Sequence, residues 1–554
     1  MPDKRVYRKL TQYGTSGYAL RARPFRVECR AMASPLASLS TVQSTDPATG
    51  EVVARFESTP AGELAESVRR ARTVQEDWAA TSVQFRCALI RKLGDVLYSR
   101  RRELAERVTR ETGKPHVESL FADVLISLET AKYYSRHAPR FLREERVRHQ
   151  NLAAKAKSGR LRYEPFGVIG IIAPWNYPLA IPLGQVIPAV VAGNAVVLKP
   201  SELAPSCGQL IAECFAEAGF PPQLIQVVHG GGEIGAALIE ARPDKLVFTG
   251  SSATGRLVAE ACARQMIPCV LELGGKDAML VLADADVEAA SSAAVWGSFT
   301  NCGQACLSVE RIYVERSIAE NFTQRCVAKT RLLRLGPGSD PDNEVGPMIR
   351  PQAVDRVEAY LRAATAAGAR ILTGGRRRPD LGPCYFEPTM VAHVNQTMSL
   401  MQEPVFGPVM AIQVVDSADQ AVALTNDSPY GLSASVWTAG RERARGLAAR
   451  IRSGAVMVND LASYFGMPEA PHGGRGLSGW GRTHSRHGLL EMVQVKYLDV
   501  DWLPRWPKAW WFGYDLALGK AADRFIGFSH APAWRERWRS AAGVFQALFR
   551  GHRM

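Results

Sequence analysis

Two side chains suited to covalent catalysis lie in the middle of the chain. Cys306 ends the segment Gly303-Gln304-Ala305-Cys306, and Glu272 lies earlier, in Leu271-Glu272-Leu273-Gly274-Gly275-Lys276. A cysteine thiolate is a strong nucleophile, and a separate carboxylate can direct water onto the covalent intermediate that the thiolate forms. The pair therefore indicates covalent catalysis followed by hydrolysis.

The nucleophile has a nearby competitor. Cys302 lies four residues before Cys306, and spacing alone does not decide between the two thiols. A reactive cysteine needs surroundings that lower its pKa or a base that takes its proton. The Gly303-Gln304 pair can form a tight loop that exposes Cys306, whereas an ordinary cysteine is usually buried.

The residues beside Glu272 favour a role as a general base. Apolar Leu271 and Leu273 flank it, and Gly274 follows. A carboxyl group with apolar neighbours tends to have a raised pKa, which suits proton transfer near neutral pH. The alternative is an ordinary surface glutamate in a loop.

Glycine-rich segments indicate phosphate binding. Gly230-Gly231-Gly232 with Gly235, and Phe248-Thr249-Gly250-Ser251 continuing to Gly255, both form loops that open into helices. Backbone N–H groups at such helix starts can bind phosphate. Each signal is weak alone, because the G-x-G-x-x-G fingerprint of dinucleotide-binding domains is missing from both.

The hydrophobic pattern predicts an α/β fold. A strand is predicted at 52–56, and three-to-four-residue apolar spacing predicts amphipathic helices over 61–80, 82–110 and 117–140. Short apolar runs at 168–173, 195–198 and 245–248 predict a parallel sheet covered on both faces, with ligand loops at the carboxyl ends of its strands. Further runs predict strands of a second α/β domain that carries the thiol: 278–282, 311–314, 433–437 and 455–458.

Composition narrows the class of protein. The 554 residues are 46% hydrophobic and carry a net charge of +14, but no nucleic-acid motif accompanies that charge. The ten cysteines include no C-x-x-C pair, which favours a reducing, cytoplasmic location over a disulfide framework or a zinc site.

No apolar run is long enough to span a membrane. Residues 1–32 are Arg-rich without the pattern of a secretory signal, and Met32 is an alternative start.

Five segments taken together resemble the aldehyde dehydrogenase superfamily. They are the two that hold Glu272 and Cys306, together with Pro174-Trp175-Asn176-Tyr177-Pro178, Lys199-Pro200-Ser201-Glu202 and Phe248-Thr249-Gly250-Ser251. The resemblance extends from about residue 44 to 498 and includes Pro471-His472-Gly473-Gly474 through Lys496-Tyr497. It implies a parallel-sheet dinucleotide-binding domain, a second α/β catalytic domain and a small oligomerisation segment.

The resemblance implies a role for each catalytic residue. The family's nucleophile follows a Gly-Gln-x sequence, which fits Cys306 and leaves Cys302 to packing or pocket lining. Glu272 would activate the water that hydrolyses the thioester. The amide of Asn176 and the backbone N–H of Cys306 would stabilise the oxyanion; as an alternative, Asn176 would be a turn residue beside Pro178.

Hydride transfer requires an acceptor that this chain does not contain, so a nicotinamide dinucleotide is predicted. By resemblance, Ser251 would bind the pyrophosphate and Lys199 and Glu202 the adenosine ribose. Because a glutamate there repels a 2′-phosphate, NAD is favoured over NADP. The channel would be lined by Ile172, Ala173, Pro174 and Trp175, and further contacts are predicted at Gly231, Gly235, Phe248, Gly250, Gly255, Leu273 and Phe406.

One position departs from the family pattern. A glutamate usually stands two residues before the phenylalanine of Phe-Gly-Pro and binds the nicotinamide ribose; here Pro404 occupies that position, and Glu403 lies one residue further back. Either Glu403 reaches the ribose through a shifted backbone, or the contact is missing.

The resemblance and the patterns divide the chain into five segments. These are a basic extension (1–43), an NAD-binding domain (44–272), a catalytic domain (273–460), a segment that returns to the cofactor domain and oligomer contacts (461–500), and a tail (501–554). Relatives imply a homodimer or homotetramer. The tail contains Trp502, Trp506, Trp510, Trp511, Trp534 and Trp538 with nine Lys/Arg, which favours either peripheral membrane contact or packing on the enzyme.

The sequence thus predicts an NAD-dependent, non-acylating aldehyde dehydrogenase. Two alternatives are an acylating enzyme that uses coenzyme A, whose relatives generally lack the glutamate at position 272, and a catalytically silent, membrane-associated scaffold with the same fold. The aldehyde itself is not specified. Tyr177, Leu307, Tyr464 and Phe465 are candidates for an apolar aldehyde tunnel.

Overall fold

The computed structural model describes residues 41–151, 154–505, 508 and 510–548. Residues 1–40 of the predicted basic extension lie outside the described residues, and so does Trp506. Described residues 41–43 belong to a strand, so the boundary predicted at residue 44 falls within that strand.

The first described elements are a hairpin and a helical layer. The strands β1 (Thr41–Thr45) and β2 (Val52–Glu57) pair antiparallel. Five helices follow: α1 (Leu64–Ala80), α2 (Val83–Ser99), α3 (Arg101–Thr112), α4 (His116–Glu118) and α5 (Ile126–Phe141), with a π-helical stretch at Ser119–Leu125 between the last two. The single helix predicted over 82–110 is wrong, because Arg100 leaves helical geometry at φ −88° and ψ 6°. The other helix predictions and the strand at 52–56 are confirmed.

The first large sheet has six strands in the order β17-β9-β8-β5-β6-β7. Its strands are β5 (Val168–Ile172), β6 (Ala195–Lys199), β7 (Ile225–Val227), β8 (Lys245–Gly250), β9 (Cys269–Leu273) and β17 (Gly479–Trp480). Four helices accompany them: α6 (Ala180–Ala192), α7 (Pro205–Glu217), α8 (Gly232–Glu240) and α9 (Ser252–Arg264). Every residue of β5 and β6 is buried, so both faces of the sheet are covered.

The strand order places a crevice between β5 and β8. From β5 the chain adds β6 and β7 on one side and then β8 and β9 on the other. The loops at the carboxyl ends of β5 and β8 therefore diverge, which is where open α/β sheets bind ligands. Pro174-Trp175-Asn176 follows β5, and Ser251 follows β8.

The second large sheet has seven strands in the order β12-β13-β14-β11-β10-β15-β16. Its strands are β10 (Asp277–Val281), β11 (Val309–Glu315), β12 (Arg370–Thr373), β13 (Thr389–Ala392), β14 (Val409–Val415), β15 (Ser433–Trp437) and β16 (Ala455–Val458). Its helices are α10 (Val287–Phe299), α11 (Arg316–Leu332), α12 (Pro351–Ala366), α13 (Ser399–Gln402), α14 (Ala418–Asn426) and α15 (Arg441–Ala448). All pairs but β12–β13 are parallel. The predicted α/β fold and the predicted strands of both sheets are confirmed.

The carboxyl-terminal part returns to the first sheet and then leaves it. Strand β17 pairs antiparallel with β9, and α16 (Ser485–Leu490) follows. A third sheet is formed by β3 (Glu145–Val147), β4 (Lys157–Pro165) and β18 (Val493–Asp501), with β18 at its edge. Two further helices, α17 (Leu516–His530) and α18 (Trp534–Leu548), end the described chain. No helix among the described residues is long and apolar enough to cross a membrane.

Candidate active site

A cleft of about 640 Å³ lies where the ligand loops of the first sheet meet the loop that precedes β11. The three predicted catalytic residues Cys306, Glu272 and Asn176 all line it, together with Phe465, His472 and His484. The structure thus brings the thiol, the carboxylate and the amide into one cavity. A concave site with a few convergent polar groups is the usual form of an active site.

The loop that carries Cys306 has a strained, specific backbone. Asn301, Cys302 and Gly303 have φ values of 49°, 55° and 70°, and a Cβ on Gly303 would lie 2.1 Å from the Gly407 carbonyl oxygen. Only glycine fits there. The Gln304 side chain holds the loop from inside, since its Nε2 donates to Asn301 O at 3.1 Å and its Oε1 accepts from Ile349 N at 2.9 Å.

The two cysteines have different surroundings. Cys306 is partly exposed and lines the cleft, whereas Cys302 is 1% exposed and packs in the core of the second sheet. Burial, together with the carboxylates of Asp277 and Glu272, raises the pKa of Cys306 to about 12, against the lowering effect of its own backbone N–H and that of Leu307. The resting group is a thiol that needs help to ionise.

Asn176 is held by a buried network. Its side-chain Nδ2 donates to Gln304 O at 3.1 Å. Its backbone carbonyl oxygen accepts from Lys114 Nζ at 2.6 Å and from Asn301 Nδ2 at 3.1 Å. Lys114 pairs in turn with Asp123 at 2.8 Å, with both side chains fully buried. The amide is therefore fixed beside the nucleophile loop, as oxyanion stabilisation requires.

Glu272 lies on β9 opposite Gly479 and is 4% exposed. Burial raises the pKa of its carboxyl group well above the ordinary value, although Arg482 acts in the other direction. The nearest basic group is His472, whose Nε2 lies 3.4 Å from Glu272 Oε2. A desolvated carboxyl group of this kind can act as a general base near neutral pH.

Six of the predicted cofactor residues line the same cleft: Pro174, Trp175, Gly250, Ser251, Leu273 and Phe406. The Trp175 and Phe406 rings meet edge to face, with centroids 5.8 Å apart. Ser251 caps α9, since its Oγ accepts from Thr254 N at 3.2 Å. The N-terminus of that helix therefore opens towards the cleft, in the position for an anion.

The remaining predicted cofactor residues lie around this lining. Lys199 is buried at the carboxyl end of β6, with Nζ 3.3 Å from Glu202 Oε2, and Glu202 keeps 47% of its side chain exposed. A Cβ on Gly235 would lie 3.6 Å from Ile172 Cδ1 and 3.9 Å from Lys199 Cδ. The other four predicted cofactor residues are held by local contacts. Ala173 is buried just after β5, and the Gly231 N–H donates to Glu233 Oε1. Phe248 packs against Gly250, and Leu273 packs against Gly255.

Glu403 lies apart from the other predicted cofactor residues. Its Oε2 accepts from Tyr360 OH at 2.7 Å, and it does not line the cleft, whereas Pro404 does. The neighbouring backbone is held in place, because Glu310 accepts hydrogen bonds from the N–H groups of Val405 and Phe406. Of the two alternatives from the sequence, this geometry favours a missing ribose contact over a shifted backbone.

The candidates for an aldehyde tunnel are divided between the cleft and its wall. Phe465 lines the cleft, while Leu307 and Tyr464 pack with Leu432 behind Cys306. The Tyr177 ring lies 4.0 Å from Lys114 Nζ and 6.3 Å from the Phe465 ring.

Several site residues were missed in the sequence. Lys114 and Asp123 position Asn176, and Glu118 accepts from Asn301 N at 2.8 Å. No local pattern marks these charged residues among many on amphipathic helices. His472 and His484 belong to the carboxyl-terminal segment that carries the resemblance, so that segment was a usable signal for them.

Comparisons with known proteins identify the family of the chain. The model of the aldehyde dehydrogenase family matches residues 36–498. The chain is 38% identical over 435 residues to a putative succinate-semialdehyde dehydrogenase [NADP(+)] of Mycolicibacterium smegmatis, covering 78% of this chain and 84% of that protein. It is 36% identical over 492 residues to 4,4'-diapolycopene aldehyde oxidase of Methylomonas sp, covering 88% and 91%.

A comparison with solved structures also finds aldehyde dehydrogenases. The NAD-dependent aldehyde dehydrogenase from Sinorhizobium meliloti superimposes with a TM-score of 0.82 at 34% identity, covering 85% of this chain and 93% of that one. The family match covers most of the chain and includes the thiol, the carboxylate and the amide of the cleft. The chain therefore belongs to the aldehyde dehydrogenase family, and it is an oxidoreductase that acts on aldehydes.

Proposed function

We propose that this enzyme oxidises an aldehyde to the carboxylic acid with NAD, through a thioester on Cys306. The observation that carries the proposal is the convergence of Cys306, Glu272 and Asn176 in one cleft beside the Ser251 helix start. Bound NAD would supply the hydride acceptor. The residues present fit such a group. The Trp175–Phe406 ring pair and the N-terminus of α9 line the cleft, and the Lys199–Glu202 pair lies at the carboxyl end of β6 in the first sheet.

The residues divide the chemistry into two half-reactions. The Cys306 thiol loses its proton to solvent as its sulfur forms a bond to the aldehyde carbon, and Asn176 Nδ2 with the Cys306 N–H stabilises the resulting oxyanion. After the carbon loses hydride, the acyl group remains on sulfur. Glu272 then takes a proton from water as the water oxygen attacks the thioester, the carbon–sulfur bond breaks, Glu272 gives its proton to the departing sulfur, and the acid leaves with the thiol regenerated.

A spectrophotometric assay tests this proposal. Purified enzyme with NAD and a panel of aldehydes is expected to form NADH steadily without coenzyme A. Turnover only with coenzyme A would support the acylating alternative, which the presence of Glu272 in the cleft disfavours. A folded protein that oxidises none of the aldehydes would support the silent scaffold.

Glu202 is expected to decide between NAD and NADP. Its exposed carboxylate beside Lys199 would accept a hydrogen bond from a ribose 2′-hydroxyl and repel a 2′-phosphate. The mycobacterial relatives, in contrast, are named for NADP. We expect a higher kcat/KM with NAD than with NADP, and we expect Glu202→Gln to reduce that preference by about tenfold or more, the effect of ~1.4 kcal/mol. Unchanged selectivity in the variant would assign cofactor choice to other residues.

We also propose that the enzyme is a cytoplasmic homodimer or homotetramer. The nine described cysteines are free, as expected in a reducing compartment. Strand β18 leaves one edge of the third sheet open and exposes the apolar side chains of Val495, Tyr497, Leu498 and Val500. An open apolar edge strand is a ready site for pairing with a second copy. Light scattering of the purified protein measures the oligomeric state directly.

The carboxyl-terminal helices are further proposed to contact a membrane surface. Helices α17 and α18 bury Leu518, Ala521 and Ala531, yet Trp534 and Trp538 remain 68% and 70% exposed. Leu516, Trp502, Trp510, Trp511, Phe512 and Tyr514 are exposed as well. Residues 501–554 carry nine Lys/Arg against four acids. Exposed tryptophans with basic residues suit the headgroup region of an anionic bilayer.

Flotation with lipid vesicles tests this contact. The full-length enzyme is expected to float with vesicles that contain phosphatidylglycerol and to float less with vesicles of phosphatidylcholine alone. Trp534→Ser with Trp538→Ser should reduce flotation several-fold without changing the oxidation of a short aldehyde in solution. If the double variant floats normally but changes oligomeric state, the tryptophans pack on a second subunit instead.

A further inference from the structure

A chain of buried polar contacts lies behind Glu272. His472 Nε2 is 3.4 Å from Glu272 Oε2, and His472 Nδ1 is 3.0 Å from the Tyr464 hydroxyl oxygen. The three residues are only 4%, 4% and 6% exposed for Glu272, His472 and Tyr464. Neither Glu272 oxygen accepts a hydrogen bond of ordinary geometry from the described residues, so His472 is the nearest polar group that could hold it.

His472 is neutral in this environment. Burial, together with the neighbouring His484 and Arg482, lowers its pKa to about 3. A neutral imidazole has one N–H and one acceptor nitrogen. When Glu272 is ionised, Tyr464 can donate to Nδ1 and the Nε2–H can donate to the carboxylate. When Glu272 is protonated on its other oxygen, the same Nε2–H can still donate to the remaining carbonyl oxygen, in a weaker bond than the one to the carboxylate.

The imidazole therefore matches both states of a general base. Glu272 starts ionised, takes a proton from water and must return it, and a group that donated in only one state would oppose half of that cycle. The imidazole keeps one neutral tautomer in both states, so no extra charge arises in a buried site, where it would be costly. Fixing the carboxylate also matters because general bases act only within hydrogen-bonding reach of the proton.

We propose that His472, supported by Tyr464, is a positioning residue. It holds the Glu272 carboxylate where it can take a proton from the water that attacks the thioester. This inference rests on the proposed function of Glu272 as the base. It adds residues from the carboxyl-terminal segment, which the sequence interpretation did not place in the catalytic machinery. The adjacent Gly473 supports the arrangement, since a Cβ there would lie 2.9 Å from Glu272 Oε1.

An activated ester separates hydrolysis from oxidation. 4-Nitrophenyl acetate transfers its acetyl group to a nucleophilic thiol and releases 4-nitrophenolate, with no cofactor or hydride transfer. The full-length enzyme is expected to give a burst equal to its active sites and then a slower steady rate set by deacylation. This assay does not depend on any aldehyde being a substrate.

Two substitutions at the same position provide the test. His472→Phe is expected to keep the burst but to slow deacylation about ten- to a hundredfold, the effect of losing a hydrogen bond to a charged group. His472→Gln should recover most of the rate, because its side-chain amide can still donate to Glu272 and accept from Tyr464. Tyr464→Phe should slow deacylation less than His472→Phe does.

The pH profile distinguishes positioning from a structural role. The titratable groups that interact with Glu272 are His472, Tyr464, Arg482, Glu491 and Cys306. Loss of the Nε2–H donor removes an interaction that favours the ionised carboxylate, so the acid limb of deacylation should move to higher pH in His472→Phe. A merely structural change would lower the rate at all pH values without moving that limb.

Three results would overturn the inference. Deacylation at the wild-type rate in His472→Phe would show that the imidazole does not hold the base. Equal losses in the folded phenylalanine and glutamine variants would show that the donor is irrelevant. A burst that persists unchanged in Cys306→Ala would instead refute Cys306 as the acylated thiol, and the proposed function would fail with it.

Discussion

Cys306→Ala is expected to abolish aldehyde oxidation, with a loss of roughly 10⁶-fold in kcat, the size seen when a nucleophile that acts as a unit with its base is removed. The thiol lines the cleft, and no other described cysteine does. Without it, no thioester can form on the protein. The measurement is NADH formation by the purified variant, with thermal unfolding measured to show that it is folded.

Cys302→Ala is the matched control for that experiment. Cys302 is buried in the core of the second sheet, so alanine there removes a small side chain at a cost of about 1 kcal/mol in stability and leaves the cleft lining intact. Activity should stay near the wild-type level. The reverse pattern, with Cys302 essential and Cys306 dispensable, would show that Cys302 is the nucleophile. Trapping with a reactive aldehyde and peptide mapping locates the adduct independently.

Glu272→Gln is expected to separate the two half-reactions. Acylation and hydride transfer need the thiol and Asn176, so one equivalent of NADH should still appear rapidly. Hydrolysis then lacks its base, and the steady rate should fall about 10²–10⁴-fold. Rapid-mixing absorbance with acid-quench analysis of the acyl-enzyme measures both phases. A variant that gives no burst would place Glu272 in the first half-reaction, as the base that activates Cys306.

The pH dependence of the wild-type enzyme follows from the same carboxyl group. The pKa of Glu272 is raised by burial, so the base is protonated and inactive at low pH and gains activity as pH rises through that raised pKa. The pKa of Cys306, about 12, also favours higher pH for thiolate formation. Turnover should therefore increase from neutral to alkaline pH. In Glu272→Gln the steady rate should lose the dependence that arises from the carboxyl group.

Local sequence was sufficient for the strands that form long apolar runs, although it did not mark others such as β9, which carries Glu272. Apolar runs such as Val168–Ile172 and Ala195–Lys199 are strands because every residue in them is buried between two layers of helices. Helix boundaries were less well predicted: nothing in the periodicity over 82–110 marks the break at Arg100, where neighbouring turns continue the same apolar spacing.

The positions of the polar side chains were beyond local sequence. The sequence left open whether Glu403 reaches the nicotinamide ribose, and in the structure its carboxylate accepts a hydrogen bond from Tyr360. The Lys114 bond to the Asn176 carbonyl joins residues 62 apart, and the contact between His472 and Glu272 joins two domains of the sequence. Such contacts depend on how whole elements pack, which periodicity does not specify.

The sequence by itself determined the α/β fold, the family and the candidate thiol, carboxylate and amide, because these depend on short motifs and on apolar runs that residues carry wherever they are placed. Only the tertiary structure decided that Cys306 lines the cleft while Cys302 is buried, that Glu403 lies outside it, and that His472 lies beside Glu272. The physical reason is that burial, pKa and hydrogen bonding are set by neighbours distant in the chain, which are brought together when β17 returns to β9 and closes the site.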